Sequence, residues 1–529
     1  MEWARDSLKR LEDSREARRN AVHEELSQEE VDRLLQEHHP DHSGKGRSIA
    51  VGANANATAF PIELADLLES KSRLPDDYVP AADIETDVLI IGGGGAACSA
   101  ALALNESGLK TLLCAKLRLG DSNTVMAEGG IQAALGPEDS AQRHFADSLV
   151  GGHGKNDPQL LKRLCEQGPE GIRWLTELGC LFDVTEEGMF RLRLGGGASV
   201  PRVLACRDYT GLEIMRTLKD ATRLTTTEIM EDCPALELLD DGAGQVSGAT
   251  IWNRQKNCLQ SVSARAVLLA TGGAGQLRFQ QFGTSNHVGA TGDGLVLAYR
   301  QGCHLEHGGS FQYHPSGSCY PEAMSGRLVT EAIRSVGAQV VNNEGHCFIN
   351  ELTYRDVLAA AIIREVREGR GIQTPAGSCG VWLDTPLIDI KHGAGTLQKQ
   401  FPGIVHRFAP FGIDPSQTPI LIYPTLHYQN GGVRVDEWCR TEINGLWAAG
   451  EVTGGLHGTN RLMGNSLLDI ITFGRRAGES IKAQLPERKA ATRSAADRFQ
   501  RDLQKLSESS VQGPQLFPVE MNMNATPGQ

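Results

Sequence analysis

The sequence predicts an α/β fold: a doubly wound, Rossmann-like parallel sheet split by an α+β insertion, with a helical extension before it and a short helix after it. Three observations point there. Asp87 to Leu102, DVLIIGGGGAACSAAL, reads as an apolar strand running through a glycine turn into a helix. Further apolar strands follow at Thr111–Cys114 and within ARAVLLATGGAG (264–275), which ends in another glycine turn. The pattern lapses after Phe311 and returns at GLWAAGEV (445–452) and SLLDIITFGRRAG (466–478), as when one domain interrupts another. The expected division is an N-terminal extension (1–80), a discontinuous nucleotide domain (81–312 and 425–485), an insertion (313–424) and a C-terminal helix with a flexible tail (486–529).

Taken in order, the opening is a highly charged helical stretch, and Ser27 with Glu30 forms a capping box before Val31, Leu34 and Leu35 at helical spacing. EHHPDHSGKGRS then reads as loop. Its His38, His39, Asp41 and His42 are metal-ligand types, but a proline-interrupted polar cluster is ordinarily solvated and lacks ligand geometry, so no metal is expected. PIELADLLES (61–70) is one short helix that docks on the main body or on a partner.

Val88–Ile91 does not alternate, as a parallel strand covered on both faces requires. Gly92, Gly94 and Ala97 satisfy the G-x-G-x-x-G/A dinucleotide fingerprint, with Gly95 opening the helix. The first glycine makes the turn, the second lets backbone approach a pyrophosphate, and the small third residue lets helix pack on strand. The free N–H groups at the helix N-terminus suit a phosphate. A nicotinamide dinucleotide protein places an acid about twenty residues further on; here Ala115-Lys116 occupies that place, which argues against NAD. GDSNTVMAEGGIQAAL (120–135) combines hydroxyls with paired glycines in a loop suited to a ring system or a pyrophosphate. The segment 488–508 reads as a final helix, and the last twenty residues as disordered.

Bulk properties narrow the function. At 529 residues, two or three structural units are expected. A net charge of −13 argues against nucleic acid and requires a local cationic pocket for any anionic substrate. No apolar run approaches the ~20 residues that span a bilayer. The N-terminus has neither the apolar core of a secretory signal nor the composition of a transit peptide, so a cytoplasmic location is expected. Twelve cysteines are scattered without C-x-x-C spacing, which excludes most local zinc and iron–sulfur signatures and reads as buried, reduced thiols.

DSNTVMAEGGIQAALG, ATGGAG, TGDGLVLAYRQG, FQYHPSG, LVTEAIR, YRDVLAAAI, PTLHYQNGG, AAGEV and HGTNRLMGNSLLDIITFGRRAG occur in this order. Together, over residues 83–480, they resemble the flavoprotein subunit of the fumarate reductase and succinate dehydrogenase family, which also includes L-aspartate oxidase. The resemblance implies an FAD domain interrupted by a capping domain, with a C4-dicarboxylate bound between them. It makes Arg355 the arginine that gives a proton to substrate carbon while flavin N5 delivers hydride, and Glu331 and Arg334 the relay that reprotonates it. It makes His314, Thr330, His427 and Arg461 the grip on the two carboxylates. Lys116, Ser122, Asn123, Thr124, Gly129, Gly130, Asp293, Glu451, Ser466 and Leu467 fall at cofactor positions; Asn460 and Asn465 are ambiguous between turn-forming and flavin contacts.

The chemistry is consistent with these assignments. A dianion enclosed in a dry cleft costs several kcal/mol per unpaired charge, and histidines, a threonine and an arginine offset this with charge-assisted bonds. Arginine is a poor acid, so it acts as a donor only when coupled to a proton source such as Glu331. Singly, each residue has an ordinary explanation: a salt-bridged helix arginine, core histidines, an acid favoured by a helix start. Their joint occurrence in the family's order separates the readings.

The chain also departs from the family. Covalent members attach FAD through the histidine of S-H-T, but Ser122-Asn123-Thr124 stands here, so noncovalent FAD is expected, with fumarate reduction the favoured direction. L-aspartate oxidase carries R-E-G-G-H-S, whose glutamate pairs with the amino group; the comparable Arg193-Leu194-Gly195-Gly196-Gly197-Ala198-Ser199 has no glutamate, which favours an unaminated dicarboxylate. Family members usually continue beyond this point as a helical bundle, whereas one helix is read here after residue 485, so a different docking arrangement for the electron donor is expected. With no cluster-binding cysteines, a separate iron–sulfur or other redox subunit is expected, through which the protein is peripheral to a membrane. The rival of another class is a non-catalytic electron-transfer or scaffold flavoprotein.

Overall fold

The computed structural model describes residues 1–19, 26–42, 46–56, 59–505 and 511–515. From the N-terminus, the elements that build the site are α1 (Arg5–Asp13), α2 (Gln28–His38), α3 (Ile62–Leu68), β1 (Val88–Ile91), α4 (Gly95–Leu104), β2 (Thr111–Cys114), β3 (Glu228–Met230), β4 (Ala266–Leu269) and α5 (Asp293–Arg300). They continue with β5 (Phe311–Ser318), β6 (Gln339–Val341), α6 (Arg355–Arg367), β7 (Cys379–Asp384), α7 (Pro402–Phe408), β8 (Ile420–Gln429), β9 (Leu446–Ala448), α8 (Asn465–Ala483) and α9 (Ser494–Gln504).

A parallel sheet in the order β9-β4-β1-β2-β3 forms one layer. Its outermost strand β9 comes from beyond residue 440, so the chain leaves this sheet and returns to it. Every residue of β1, β2 and β4 is buried, which explains their unbroken apolar runs. Gly474 and Gly478 of α8 lie against Ala96, Ala100 and Ala103 of α4, so these helices cross backbone to backbone.

A second, antiparallel sheet runs in the order β5-β8-β7-β6. Its β5–β8 ladder pairs Gln312 with Tyr428 and Tyr313 with Leu426, which leaves His427 as the extra residue of a bulge. A bulge re-aims a side chain, and this one releases His427 from the ladder toward the cavity described below. The helix α6 covers one face of the sheet, through Val357, Leu358, Ala361 and Ile362 against Val381, Leu383 and Ile422.

The N-terminal extension is bound to both sheets. On the antiparallel sheet, Leu11 joins the cluster of Val341, Trp382 and Leu421. Trp382 donates to Ser7 Oγ at 2.8 Å, and Asp384 accepts from Arg15 Nη2 and Arg18 Nη2, each at 2.8 Å. The capping box forms at Ser27 and Glu30, and α2 places Leu34 and Leu35 in the cluster that buries α6. Asp41 stands at the start of β5, where its carboxylate accepts from Phe311 N at 3.0 Å. From residue 46 onward the extension belongs to the other core: Ile49, Phe60, Leu64 and Leu68 pack with Leu89, Val267 and Leu295. The short helix read at 61–70 therefore docks on the main body.

The helix read at 488–508 is α9, held by Phe499 and Leu503 in the same core. Of the last twenty residues, read as disordered, Gln512–Gly513 instead pairs with Lys71–Ser72, and residues from 516 onward lie outside the described residues, as does the side chain of His42. Among the described residues no group of His, Cys, Asp or Glu could hold a metal ion, and no helix is long and apolar enough to cross a membrane.

Candidate active site

A groove opens at the carboxyl ends of the parallel strands, where open α/β sheets bind their ligands. It is lined by Gly92–Gly95, Lys116, Ser122–Thr124, Thr271, Asp293 and Glu451. Gly92 lies at φ +134°, and a β-carbon there would collide with the backbone of Ala270. Any other residue would fill the turn that brings the chain from β1 into α4. Ala97 is buried beneath this turn and does not line the groove.

The carboxylate missing after β2 comes from elsewhere. Lys116 Nζ donates to Asp293 Oδ2 at 2.7 Å and to Thr291 Oγ1 at 2.6 Å, so the first residue of α5 sets an acid at the end of the groove. Asn123 is fully engaged with protein: its amide donates to Asn286 Oδ1 at 2.7 Å and Glu451 Oε2 at 2.9 Å, and its oxygen accepts from His287 N at 2.7 Å. Thr124 Oγ1 accepts from Gly95 N at 3.2 Å, which ties the loop to the start of α4.

The groove runs inward into a second compartment, lined by Asn123, Thr124, Ser285, His427, Tyr428, Glu451, Ser466, Leu467 and Ile470. Asn123, Thr124, Glu451 and Ile470 line both compartments. His427 Nδ1 bonds Ser285 Oγ at 2.8 Å, and the His427 and His314 rings meet edge to face at 5.0 Å. Gly129 and Thr330 flank Met463: a β-carbon on Gly129 would stand 3.4 Å from Met463 Sδ and 3.7 Å from Thr330 Oγ1. Gly130 packs on the backbone of Leu204.

Two arginines converge on this end. Arg355 Nη1 and Arg461 Nη2 both donate to Gln312 Oε1, at 2.8 and 3.0 Å. The Gln312 amide nitrogen is held in turn by Asn460 Oδ1 at 3.0 Å and Arg461 O at 2.6 Å. Arg355 Nε donates to Glu331 Oε2 at 2.8 Å, Arg334 Nη2 lies 3.4 Å from the same oxygen, and Gly196 N donates to Glu331 Oε1 at 2.9 Å. A β-carbon on Gly196 would sit 2.9 Å from that oxygen, so only glycine lets the 193–199 loop reach the carboxylate.

The electrostatics follow from burial among like charges. Burial alone would raise the Glu331 carboxyl, but Arg355 and Arg334 together outweigh it and hold its pKa at about 2. Burial, and then the charge of Arg355, hold His314 and His427 well below the ordinary histidine range. Burial and then Arg355 also lower Arg461. Two guanidiniums and two neutral histidines therefore stand together at this end: His427 lines the compartment, His314 packs on His427, and Arg355 and Arg461 meet at Gln312, while the one carboxylate bonded to Arg355 is already committed.

The structure thus gathers Arg355, Glu331, Arg334, His314, Thr330, His427 and Arg461 at the inner end, and Gly92, Gly94, Gly95, Lys116 and Asp293 at the outer end. Asn465 belongs to neither, since it bonds His144 Nε2 at 2.8 Å and Ser148 Oγ at 2.9 Å. Sequence reading missed Gln312, Ser285, Asn286 and Gly196. Only Gln312 had a signal: it stands two residues before His314 on a strand, where alternation places both on one face.

A glycine-turn groove at the carboxyl ends of a parallel sheet, with two buried arginines at its inner end, defines a nucleotide-binding α/β protein. The family model for the FAD binding domain matches residues 87–467. One relative is the A component of the CoM/CoB fumarate reductase of Methanothermobacter marburgensis. It is 39% identical over 408 residues, covering 75% of this chain and 72% of its own. An L-aspartate oxidase of Streptomyces coelicolor is 36% identical, covering 76% and 70%. Among solved structures, the E. coli quinol fumarate reductase FrdA carrying the E245Q mutation aligns with TM-score 0.72 at 31% identity, covering 80% of this chain and 74% of that one. The chain belongs to the FAD-dependent oxidoreductase family of fumarate reductases, succinate dehydrogenases and L-aspartate oxidases, and FAD is its cofactor.

The residues present fit FAD. The glycine turn presents the free N–H groups of α4 to a pyrophosphate, Lys116 and Asp293 offer a cation and an acceptor at the groove end, and Ser466, Leu467 and Glu451 line the compartment that would take the ring.

Proposed function

We propose that this protein is a flavoprotein subunit that interconverts fumarate and succinate, and that Arg355 handles the proton. The reading rests on one observation above all: Arg355, Arg461, His314 and His427 lie together at the inner end of the groove, and among the described residues Arg461 has no carboxylate partner while Arg355 has Glu331. Bound FAD supplies the hydride chemistry at its isoalloxazine ring.

The protein's own residues supply the rest. Arg461, His314, His427 and Thr330 bind the two carboxylates, which replaces hydration with charge-assisted bonds. Glu331 and Gln312 engage Nε and Nη1 of Arg355 and so fix the guanidinium plane, which leaves Nη2 for the substrate carbon. Carbanion-like charge at that carbon is stabilised by the fixed cation, and the proton follows. Glu331, ionised at rest, then relays a proton to the neutral Arg355 guanidine, taking one from Arg334 as it gives one up; Arg334, which reaches the Glu351 carbonyl, is reprotonated from solvent to close the cycle. In succinate oxidation the same path runs outward. By extension from relatives named as subunits, a separate iron–sulfur or other redox subunit exchanges electrons with the flavin and makes the protein peripheral to a membrane.

Aspartate fits less well. Its ammonium needs an acceptor, but both Glu331 oxygens are engaged and Leu194 stands where the oxidase pattern has glutamate. Purified holoprotein is expected to reduce fumarate with a reduced dye and to leave L-aspartate unoxidised under oxygen. Turnover of aspartate without turnover of fumarate would reverse the assignment. Because Asn123 has no nucleophile, acid precipitation is expected to release all the flavin into the supernatant; flavin retained on the polypeptide contradicts noncovalent binding.

The histidines also set a pH dependence. A bound dianion reverses the local field and raises both histidine pKa values, so the complex holds more protons than the free protein. Dicarboxylate affinity is therefore expected to strengthen as pH falls through the pKa that the histidines take in the complex. Calorimetry in buffers of different ionisation enthalpy should show proton uptake, and His427→Asn should flatten the dependence.

A further inference from the structure

Arg461 is held in an unusual way. Among the described residues its side-chain hydrogen bonds go only to neutral acceptors, the Leu462 carbonyl at 3.0 Å and Gln312 Oε1 at 3.0 Å, and its Nε has no hydrogen-bond partner. It is buried and shares Gln312 with a second guanidinium, so bonding alone neither neutralises it nor keeps it from turning away from Arg355. What covers it is an aromatic ring: the guanidinium carbon lies 4.4 Å from the centroid of Tyr428.

That ring is itself anchored. Tyr428 Oη donates to Asp469 Oδ2 at 3.4 Å, His457 Nε2 lies 3.5 Å from the same oxygen, and the Tyr428 and His457 rings meet edge to face at 5.5 Å. Asp469 sits on α8 one turn beyond Ser466 and Leu467, which line the inner compartment, and Tyr428 lines that compartment too.

We propose that Tyr428 is a positioning residue for the dianion site: its ring face holds the Arg461 guanidinium with its N–H edge turned to the substrate carboxylate, and Asp469 and His457 keep the ring in place. This rests on the dicarboxylate reading above. The physical basis is the negative face of an aromatic ring, which attracts a cation without donating or accepting a hydrogen bond. It stabilises the charge of Arg461 while leaving its N–H groups for a carboxylate. A carboxylate in place of the ring would neutralise Arg461 and compete with substrate; an aliphatic side chain would leave the cation repelled by Arg355 and free to turn toward backbone carbonyls.

The test uses holoprotein and malonate, a dianion with no CH–CH bond to oxidise, titrated against the flavin absorbance. Tyr428→Phe keeps the ring and should bind malonate within about threefold of wild type. Replacing that phenylalanine by its difluoro and trifluoro analogues preserves shape while weakening the negative face, so Kd should rise stepwise, by roughly tenfold at the trifluoro member. Tyr428→Leu should raise Kd by roughly 10- to 30-fold, read on the FAD-loaded fraction of the protein. In all variants kcat at saturating fumarate should stay within about threefold, since Arg355 is untouched. A flat fluorination series, or a fall in kcat with Kd unchanged, overturns the proposal; the shape-preserving series decides the matter even if the leucine variant fails to fold. Wild-type protein that binds no malonate overturns the dicarboxylate reading, whereas wild-type binding with a flat series overturns only the role of Tyr428.

Discussion

Arg355→Gln is expected to lower kcat for fumarate by about 10³–10⁴, within the range that a positioned proton donor contributes and near its upper end. Glutamine can keep a hydrogen bond to Glu331 but carries no charge to stabilise the developing carbanion and no proton to give. FAD content should not change, because no groove residue is altered. Malonate binding should fall far less than kcat, since Arg461, His314 and His427 remain. Arg355→Lys should not rescue activity, because an ammonium cannot bond Glu331 and Gln312 in the fork that fixes the guanidinium. Stopped-flow reoxidation of reduced enzyme by fumarate is the direct measurement, and a rate within tenfold of wild type would show that the proton comes from another group.

The second large effect lies far from the flavin. Leu34 and Leu35 are buried in the cluster that seats α6, the helix that begins with Arg355. Truncating a buried leucine costs about 2–5 kcal/mol, so the Leu34→Ala, Leu35→Ala double variant should lose about 4 kcal/mol or more. That is a large share of a typical unfolding free energy of about 5–15 kcal/mol. The loss should appear in urea denaturation as a first transition of the antiparallel sheet and α6, with activity disappearing in it. A double variant within about 1 kcal/mol of wild type would mean that the extension is not part of this core.

The extension shows where sequence reading stops. Its capping box and its apolar spacing at Val31, Leu34 and Leu35 were legible, because caps and helical faces are set by residues within a few positions of one another. What those leucines cover was not, since α6 lies more than three hundred residues away along the chain. The same division runs through the site. The glycine turn, the strands of the parallel sheet and the helix after residue 465 follow from local pattern, and the order of the motifs placed Arg355, Glu331, His314, His427 and Arg461 together. Gln312 was missed because a neutral amide carries no charge signal; its importance comes from standing between two guanidiniums. The bulge at His427 was invisible because register depends on both strands of a ladder.

By itself, then, the chain determined a dinucleotide groove, through a glycine that no other residue can replace at φ +134°, and, through the order of its motifs, a group of arginines and histidines suited to an acidic substrate despite the net negative charge. Only the tertiary structure decided which acid faces Lys116, which amide joins Arg355 to Arg461, and which ring covers Arg461. Those are contacts between groups brought together by packing of the two sheets, and backbone propensity along the sequence holds no record of them.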